Sequence, residues 1–89
     1  MADFLFARRF LQDLAEWEHD ASPRDLEALD RALASIAREP ALSGRVPSFY
    51  DPARPSYLYR VDRLLIHYRS RSDGAVEFLN LFFCLCVED

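Results

Sequence analysis

The length and composition of this chain limit it to one small globular domain, which we expect to span residues 1–89. The chain is 51% hydrophobic and carries seven Phe and four Tyr, which excludes an intrinsically disordered segment. All eleven basic residues are arginine, and the net charge of −4 argues against an indiscriminate nucleic-acid binder. The sequence lacks both a signal peptide and an apolar run of the roughly 18 residues that a membrane span needs, so we expect a cytoplasmic protein with no membrane association.

The N-terminal segment predicts a short strand and an amphipathic helix. Phe4–Phe6 is an apolar run that suits an opening or edge strand. From Arg8 onward, apolar residues recur at the three- and four-residue spacing of a helix with one buried stripe. The stripe consists of Phe10, Leu11, Leu14 and Trp17.

A second helix is predicted to follow after a short break. Ser22 suits the N-cap, Pro23 the first helical position and Asp25 the third, while Glu39-Pro40 is expected to end the helix. Its apolar stripe consists of Leu26, Leu29, Leu33 and Ile36. Two amphipathic helices with so short a connection should pack antiparallel on a sheet. Residues 40–56, which hold four of the five prolines, are predicted to form a loop.

The second half predicts a three-stranded meander. Runs of aromatic and branched residues are separated by turns at Val61-Asp62-Arg63 and Ser72-Asp73-Gly74. The predicted fold is therefore α+β in the order β-α-α-β-β-β. It has a short N-terminal strand and an antiparallel two-helix hairpin packed on a mainly antiparallel sheet that ends in the meander.

Alternation along the first two strands of the meander assigns their side chains to two faces. One face is the more apolar, and we expect the helices to cover it; its members are Tyr57, Tyr59, Leu64, Ile66 and Tyr68. The other face mixes polar and apolar side chains, and its members are Leu58, Arg60, Leu65, His67 and Arg69.

The mixed face has three interpretations. Two arginines and a histidine favour an anion or RNA-backbone surface, on which His67 acts as an acid or base. A solvated sheet face, with arginine stems covering apolar neighbours, accounts for the same residues. The two leucines favour a surface covered by a partner peptide or by a second copy in a homodimer. Arg63 and Arg71 are expected near the rim of this face.

The sequence offers little support for a metal or a cofactor. Cys84 and Cys86 form a C-x-C pair that would need two more soft ligands, and we expect two reduced, buried thiols. With Gly44 and Gly74 as its only glycines, the chain has no Gly-rich loop to cradle a phosphate. We therefore expect no cofactor.

Three stretches of the sequence resemble the RelE/ParE superfamily of bacterial type II toxins. They are FLFARRFLQDLAEW as opening strand and first helix, LDRALASIAREPALSGR as second helix and its exit, and LYRVDRLLIHYRSRSDGAVEFLNLF as the hairpins. The resemblance covers nearly the whole chain. It rests on hydrophobic periodicity, on the YRV and LLIHYR segments and on the SDG turn.

This resemblance implies a small toxin that a cognate antitoxin holds inactive by wrapping its groove and sheet. RelE-like members cleave mRNA in the ribosomal A site with basic residues, and sometimes Tyr, His or Glu, on the concave sheet face. ParE-like members inhibit DNA gyrase instead.

Residue by residue, the nuclease part of the resemblance transfers poorly. Arg60, Tyr68 and Arg69 fit the pattern of the family. Four positions at which the family places basic residues are uncharged here, namely Ser56, Leu58, Leu65 and Leu85. These differences, the acidic net charge and the leucines favour a protein target over RNA.

We therefore predict a growth-inhibiting toxin of a type II toxin-antitoxin system that is ParE-like, with a target such as DNA gyrase. Its antitoxin or target would bind Leu58, Arg60, Arg63, Leu65, Arg69 and Arg71. One alternative is a RelE-like, ribosome-dependent mRNA endoribonuclease with Arg60, His67, Tyr68 and Arg69 as catalytic residues. A second is a degenerate family member that acts only as a binding module.

Overall fold

The protein folds into two helices and a five-stranded sheet in a computed structural model that describes residues 4–48, 55–61, 63–71 and 73–83. The helices are α1 (Arg8–Glu18) and α2 (Pro23–Arg38). The strands are β1 (Phe4–Phe6), β2 (Val46–Ser48), β3 (Ser56–Val61), β4 (Leu64–Ser70) and β5 (Val76–Phe83).

The sheet has the strand order β1-β5-β4-β3-β2. Strand β1 runs parallel to β5, and the other neighbouring pairs are antiparallel. Both helices pack on the sheet, α1 mainly against β5, while α2 reaches β3. The predicted α+β fold with a two-helix hairpin and a C-terminal meander is confirmed.

Local sequence signals explain where α2 begins and ends. The Ser22 hydroxyl accepts a hydrogen bond from the amide of Asp25, whose carboxylate accepts one from the amide of Ser22. This capping box satisfies two amides that would otherwise lack partners at the helix start. The helix ends before Glu39-Pro40, as predicted, because a residue that precedes proline disfavours the helical conformation.

The buried stripes of the helices are narrower than predicted. Phe10 is fully buried in α1, but Leu11 is 48% exposed. In α2, Leu29 and Ile36 are buried while Leu26 is 39% exposed, and the small side chain of Ala32 completes the buried row. The predictions for Leu11 and Leu26 were wrong because each of these residues lies at the margin of its helical stripe.

A short edge strand lies within the segment that was predicted to be a loop. Val46–Ser48 pairs antiparallel with residues 56–58 of β3. Proline has no amide hydrogen to donate to a neighbouring strand. It is therefore tolerated on an edge strand, which has a strand partner on one side only. Pro47 therefore fits in β2, which forms the edge of the sheet beside β3.

The antiparallel pairing of β3 with β4 and of β4 with β5 confirms the two hairpins of the meander, while Asp62 and Ser72 of the predicted turns lie outside the described residues. Strands β3 and β4 are joined by residues 62 and 63 alone. Between β4 and β5, the amide of Arg71 donates to the carbonyl of Ala75 at 2.8 Å. Gly74 in this turn has a φ of +90°, a conformation that glycine adopts without the steric penalty of a side chain.

The core lies between the helices and one face of the sheet. Phe10, Ile36, Ile66, Tyr68 and Phe78 are fully buried there. Leu64 joins them, while Tyr57 and Tyr59 pack against the cluster from its periphery. The helix-covered face predicted from strand alternation is therefore confirmed. None of the described helices is long and apolar enough to cross a membrane.

One carboxylate connects α1 to the outer edge of β5. Strand β1 pairs with β5 only as far as Phe78, so the next part of the edge has no strand partner among the described residues. There the amide of Leu81 donates to Asp13 Oδ2 at 3.1 Å, while Arg9 donates to Oδ1 at 3.2 Å. Asp13 thus satisfies a strand amide that β1 does not reach.

Replacing Asp13 with alanine should lower the free energy of unfolding by about 1–3 kcal/mol, because the buried Leu81 amide loses a charged acceptor. Urea unfolding monitored by circular dichroism would measure the change. Asp13→Asn retains an acceptor oxygen and should lose less than Asp13→Ala. Equal losses in the two variants would contradict this account of the Asp13 carboxylate.

Candidate functional site

The candidate site is the face of the sheet that points away from the helices, which we call the open face. No helix among the described residues covers it. Its position follows from strand alternation, since the neighbours of each core residue along a strand point to the opposite side. The open face comprises Leu5, Ser56, Leu58, Arg60, Leu65, His67, Arg69, Glu77, Asn80 and Phe82.

The structure brings five predicted site residues onto this face. Leu58 lies opposite His67, and Arg60 lies opposite Leu65, in the β3–β4 pair. Arg69 lies opposite Glu77 in the β4–β5 pair. The predicted mixed face is thus present as one surface across three strands.

A bulge in β5 brings a further polar residue to the centre of the face. Tyr68 lies opposite Phe78, but His67 lies opposite Asn80, so Leu79 is an extra residue on β5. One extra residue reverses the alternation beyond it. Asn80 consequently shares the open face with His67, and Leu81 lies opposite Ile66 in the core.

His67 is the centre of a hydrogen-bonded chain across three strands. Its Nε2 lies 2.8 Å from Ser56 Oγ on β3, and its Nδ1 lies 3.0 Å from Asn80 Oδ1 on β5. Because Oδ1 can only accept, Nδ1 is the donor. In the neutral ring, Nε2 then accepts from the Ser56 hydroxyl.

This chain is enclosed rather than open to a substrate. His67 and Ser56 are each only 4% exposed, and the imidazole ring stacks with Phe82 at a centroid distance of 6.3 Å. Buried polar groups of this kind require partners, since each unsatisfied donor or acceptor costs stability. These hydrogen bonds hold three strands together. They also occupy both ring nitrogens of His67, which are the atoms that it would use as an acid or base.

Arg69 is also engaged on this face. Its guanidinium forms an ion pair with Glu77, with Nε and Nη2 at 2.9 and 2.7 Å from Oε1. Both side chains are about four-fifths buried, with 19% and 21% exposure. Such a pair gives the surface one fixed, nearly neutral polar feature instead of a cation available to a phosphate. Arg60 lies at the β3 position opposite Leu65 and is exposed.

Tyr68 does not join the other catalytic candidates. It lies on the helix-covered face, fully buried, and its hydroxyl donates to the carbonyl of Pro40 at 2.6 Å. Burial raises the pKa of the Tyr68 phenol, although the charge of Arg45 and a hydrogen bond with it act in the opposite direction. The alternation of β4 thus separates Tyr68 from His67 and Arg69.

The two remaining arginines lie at opposite ends of β4. Arg63 is exposed in the β3–β4 turn and lines a cavity on the helix side of the sheet. Arg71 is exposed in the β4–β5 turn, and its Nη2 lies 3.6 Å from Asp73. The predicted binding residues therefore form a central group and two separate ends, not one continuous cationic surface.

Apolar side chains make up much of the rest of the open face. Phe82 is 47% exposed and Leu5 is 44% exposed, while Leu58 and Leu65 are half-buried. Phe82 and Asn80 were not among the predicted site residues. Their assignment to this face depends on the bulge at Leu79, for which the sequence offered no signal.

The structure identifies no metal site in the part of the chain that it describes. No group of three or more His, Cys, Asp or Glu side chains among those residues is arranged to hold a metal ion. Cys84 and Cys86 lie outside the described residues.

No family model matches the chain, and no curated protein matches it. The function must therefore be argued from the fold, the open face and the sequence resemblance.

The chain of hydrogen bonds at His67 can be tested by removing one acceptor. Asn80→Ala should lower the free energy of unfolding by about 1–3 kcal/mol, because the buried Nδ1–H loses its acceptor. Denaturant unfolding would measure this loss. Asn80→Asp keeps an acceptor in place and should cost less, whereas an equal cost would contradict the assigned hydrogen bond.

The buried phenol of Tyr68 predicts a loss of stability at high pH. The unfolded chain loses this proton near pH 10, whereas the folded protein with its raised pKa retains it. The contribution of this phenol to the free energy of unfolding should therefore be fully present below about pH 10. It should be lost as the pH rises from there through the folded pKa. Tyr68→Phe should reduce this decline in unfolding experiments at a series of pH values.

A matched control separates Tyr68 from the other tyrosines. The hydroxyl of Tyr59 makes no hydrogen bond to a described residue, and its charge is the smallest of the causes that raise the pKa of Tyr68, so Tyr59→Phe should reduce the decline less than Tyr68→Phe does. At neutral pH, Tyr68→Phe alone should cost about 1–2 kcal/mol, because the hydrogen bond to Pro40 is lost. An identical pH dependence in wild type and Tyr68→Phe would refute the proposed role of the phenol.

Proposed function

We propose that this protein is a growth-inhibiting toxin of a type II toxin-antitoxin system, neutralised by a cognate antitoxin and acting on a protein target such as DNA gyrase. The fold supports this proposal, because a two-helix hairpin on one side of a mainly antiparallel sheet is the architecture that the RelE/ParE resemblance implies. A fold alone admits many functions, and the choice of target is argued from the open face.

The half-apolar open face is the observation that carries the choice of a protein target. Phe82 is exposed beside His67, and the leucines Leu58 and Leu65 lie on the neighbouring strands. Protein interfaces are enriched in aromatic side chains and arginine at their centres, with few unpaired charges. Phe82, the leucines and the exposed Arg60 provide such a composition, and the Arg69–Glu77 pair supplies a fixed polar contact.

The four candidate catalytic residues support the endoribonuclease alternative less well than the open face supports a protein target. His67 is enclosed with both ring nitrogens in hydrogen bonds, Arg69 is paired with Glu77, and Tyr68 lies on the other face. RNA cleavage needs an acid or base that reaches the ribose or the leaving oxygen, and cations that stabilise the developing charge. Only Arg60 of the four candidates is exposed on the open face.

The first test is to induce the chain in bacteria with and without the neighbouring gene. Growth, DNA supercoiling and the ends of cellular mRNAs would be measured together. We expect growth arrest with intact messages, inhibited supercoiling and rescue by the neighbouring gene. Fresh cuts within translated messages would instead establish the endoribonuclease, and an absence of arrest would leave a binding module.

A pair of matched variants then locates the surface responsible. Phe82 on the open face and Leu11 on α1 are almost equally exposed, at 47% and 48%, so aspartate at either position should leave the fold intact. We expect Phe82→Asp to weaken inhibition of purified gyrase in a supercoiling assay by at least about tenfold, as for an aromatic residue central to an interface. Leu11→Asp should inhibit as the wild type does.

Equal inhibition by the two variants would exclude the open face as the gyrase-binding surface. Equal loss in both, with circular dichroism spectra unchanged, would also contradict the proposal, since Leu11 belongs to the helix layer. Arg60→Ala adds a check on the nuclease alternative, because mRNA cleavage that survives this change would not depend on the one exposed candidate.

A further inference from the structure

A cavity lies on the opposite side of the sheet from the open face, where the α1–α2 connection meets the β3–β4 turn. It measures about 750 Å³. Trp17 and Val61 line its walls together with the core leucines Leu64 and Leu81. We call it the Trp17 cavity. A half-buried indole beside aliphatic side chains gives it one apolar wall that reaches the edge of the core.

The mouth of the Trp17 cavity is negatively charged. Glu16, Asp20 and Asp25 line it with Asp13, against a single arginine, Arg63, among the described lining residues. Two of these carboxylates are already engaged, because Asp13 holds the Leu81 amide and Asp25 holds the capping box of α2. The carboxylates of Glu16 and Asp20 have no ion-pair partner among the described residues.

The indole, the aliphatic side chains and the carboxylates around the Trp17 cavity together favour a cationic ligand with an apolar stem. A flat cation stacks favourably on an indole, and its charge is stabilised by carboxylates at the entrance. An aliphatic stem suits the leucine and valine walls. An arginine side chain has all three parts, since its guanidinium is planar, permanently charged and carried on an apolar stem.

The charge of the surrounding helices agrees with such a partner. Residues 8–39 contain eight acidic residues and five arginines, so the layer that carries the cavity is net acidic. This field attracts a basic segment and orients it as it approaches. A negatively charged partner would be repelled from the same surface.

We propose that the Trp17 cavity is a docking site for a basic peptide segment and that it receives one arginine side chain against Trp17, between Glu16 and Asp20. The site is independent of the proposed toxin activity, because it lies on the helix side of the sheet and shares no residue with the open face. A partner held there would leave Phe82 and the leucines of the open face accessible.

Trp17 is the only tryptophan in the chain, so its fluorescence reports on this cavity alone. The full chain would be titrated with a hexa-arginine peptide, while emission and acrylamide quenching are recorded. We expect a saturable change in emission and less quenching, because the guanidinium covers the indole. A hexa-lysine peptide should bind at least about fivefold more weakly, since an ammonium group lacks the planar stacking surface.

Matched double variants separate the cavity from the general charge of the helices. Glu16→Gln with Asp20→Asn removes the two unpaired carboxylates and should weaken hexa-arginine binding by about tenfold or more, since each charge-assisted contact is lost. Glu27→Gln with Asp30→Asn removes the same charge from exposed positions of α2 that do not line this cavity. Its affinity should stay within about twofold of the wild type.

Three results would overturn the proposal. One is an unsaturable response of Trp17, and another is equal loss of affinity in the two double variants, which would indicate attraction by net charge alone. The third is equal affinity for hexa-lysine and hexa-arginine, which would exclude a stacked guanidinium. All four substituted positions are exposed, so folding should be preserved, and circular dichroism would verify it.

Discussion

Strand β4 is the element on which the rest of the structure depends. It is the central strand of the sheet, with β3 on one side and β5 on the other. Ile66, His67 and Tyr68 follow one another along it and are at most 4% exposed, although they point alternately to two faces. A strand buried on both faces cannot slip by one residue without placing an imidazole in the core and an isoleucine outside it. The register of β4 is thus fixed by apolar packing on the helix-covered face and by the hydrogen bonds that the buried imidazole needs on the open face.

The need of the buried His67 for hydrogen bonds explains which polar side chains lie at the centre of the open face. A buried imidazole needs partners for both nitrogens, and the two strands that flank β4 provide one each, Ser56 and Asn80. On the helix side, Tyr68 has the same requirement, and the carbonyl of Pro40 at the exit of α2 meets it. On the open face, β4 is therefore held to its neighbouring strands by hydrogen bonds between side chains. On the helix side, it is held to the exit of α2 by a hydrogen bond from a side chain to the backbone. Both ties involve residues that sequence reasoning had considered as catalytic.

The sequence was sufficient for those parts of the fold that depend on local signals. The N-cap at Ser22, the two hairpins of the meander and the alternation of β3 and β4 all follow from neighbouring residues, and the structure confirms them. The partners of His67 on β5 do not follow in this way. Without the extra residue at Leu79, simple pairing from the turn would place Leu79 opposite His67, and Asn80 would face the core. Strand β2 was missed for a similar reason, since its three residues gain their conformation only by pairing with β3.

The distribution of arginine also depends on tertiary structure. Along the sequence, residues 42–71 hold six arginines and two aspartates, so this stretch of the chain is net positive. In the fold, the described arginines of this stretch are dispersed. Arg45 lies over the ring of Tyr57 at 4.0 Å, Arg69 is paired with Glu77, and Arg63 and Arg71 occupy opposite ends of β4. The position of each arginine in the fold determines whether it meets a carboxylate, an aromatic ring or solvent, and linear charge density carries none of that information.

Two surfaces of different chemistry result from this dispersal. The open face carries Arg60, Phe82 and the leucines, and the polar side chains at its centre form hydrogen bonds or an ion pair with one another. Such a surface suits a partner that buries apolar area. On the helix side, Glu16 and Asp20 line an aromatic cavity and have no ion-pair partner among the described residues, so this surface suits a cation. Because the sheet lies between them, one partner can occupy each surface at the same time without contact between the two. Any coupling between the two partners would have to pass through β3, β4 and β5, whose side chains contribute to both surfaces, and it should therefore depend on the hydrogen-bonded chain through His67 that holds these strands together.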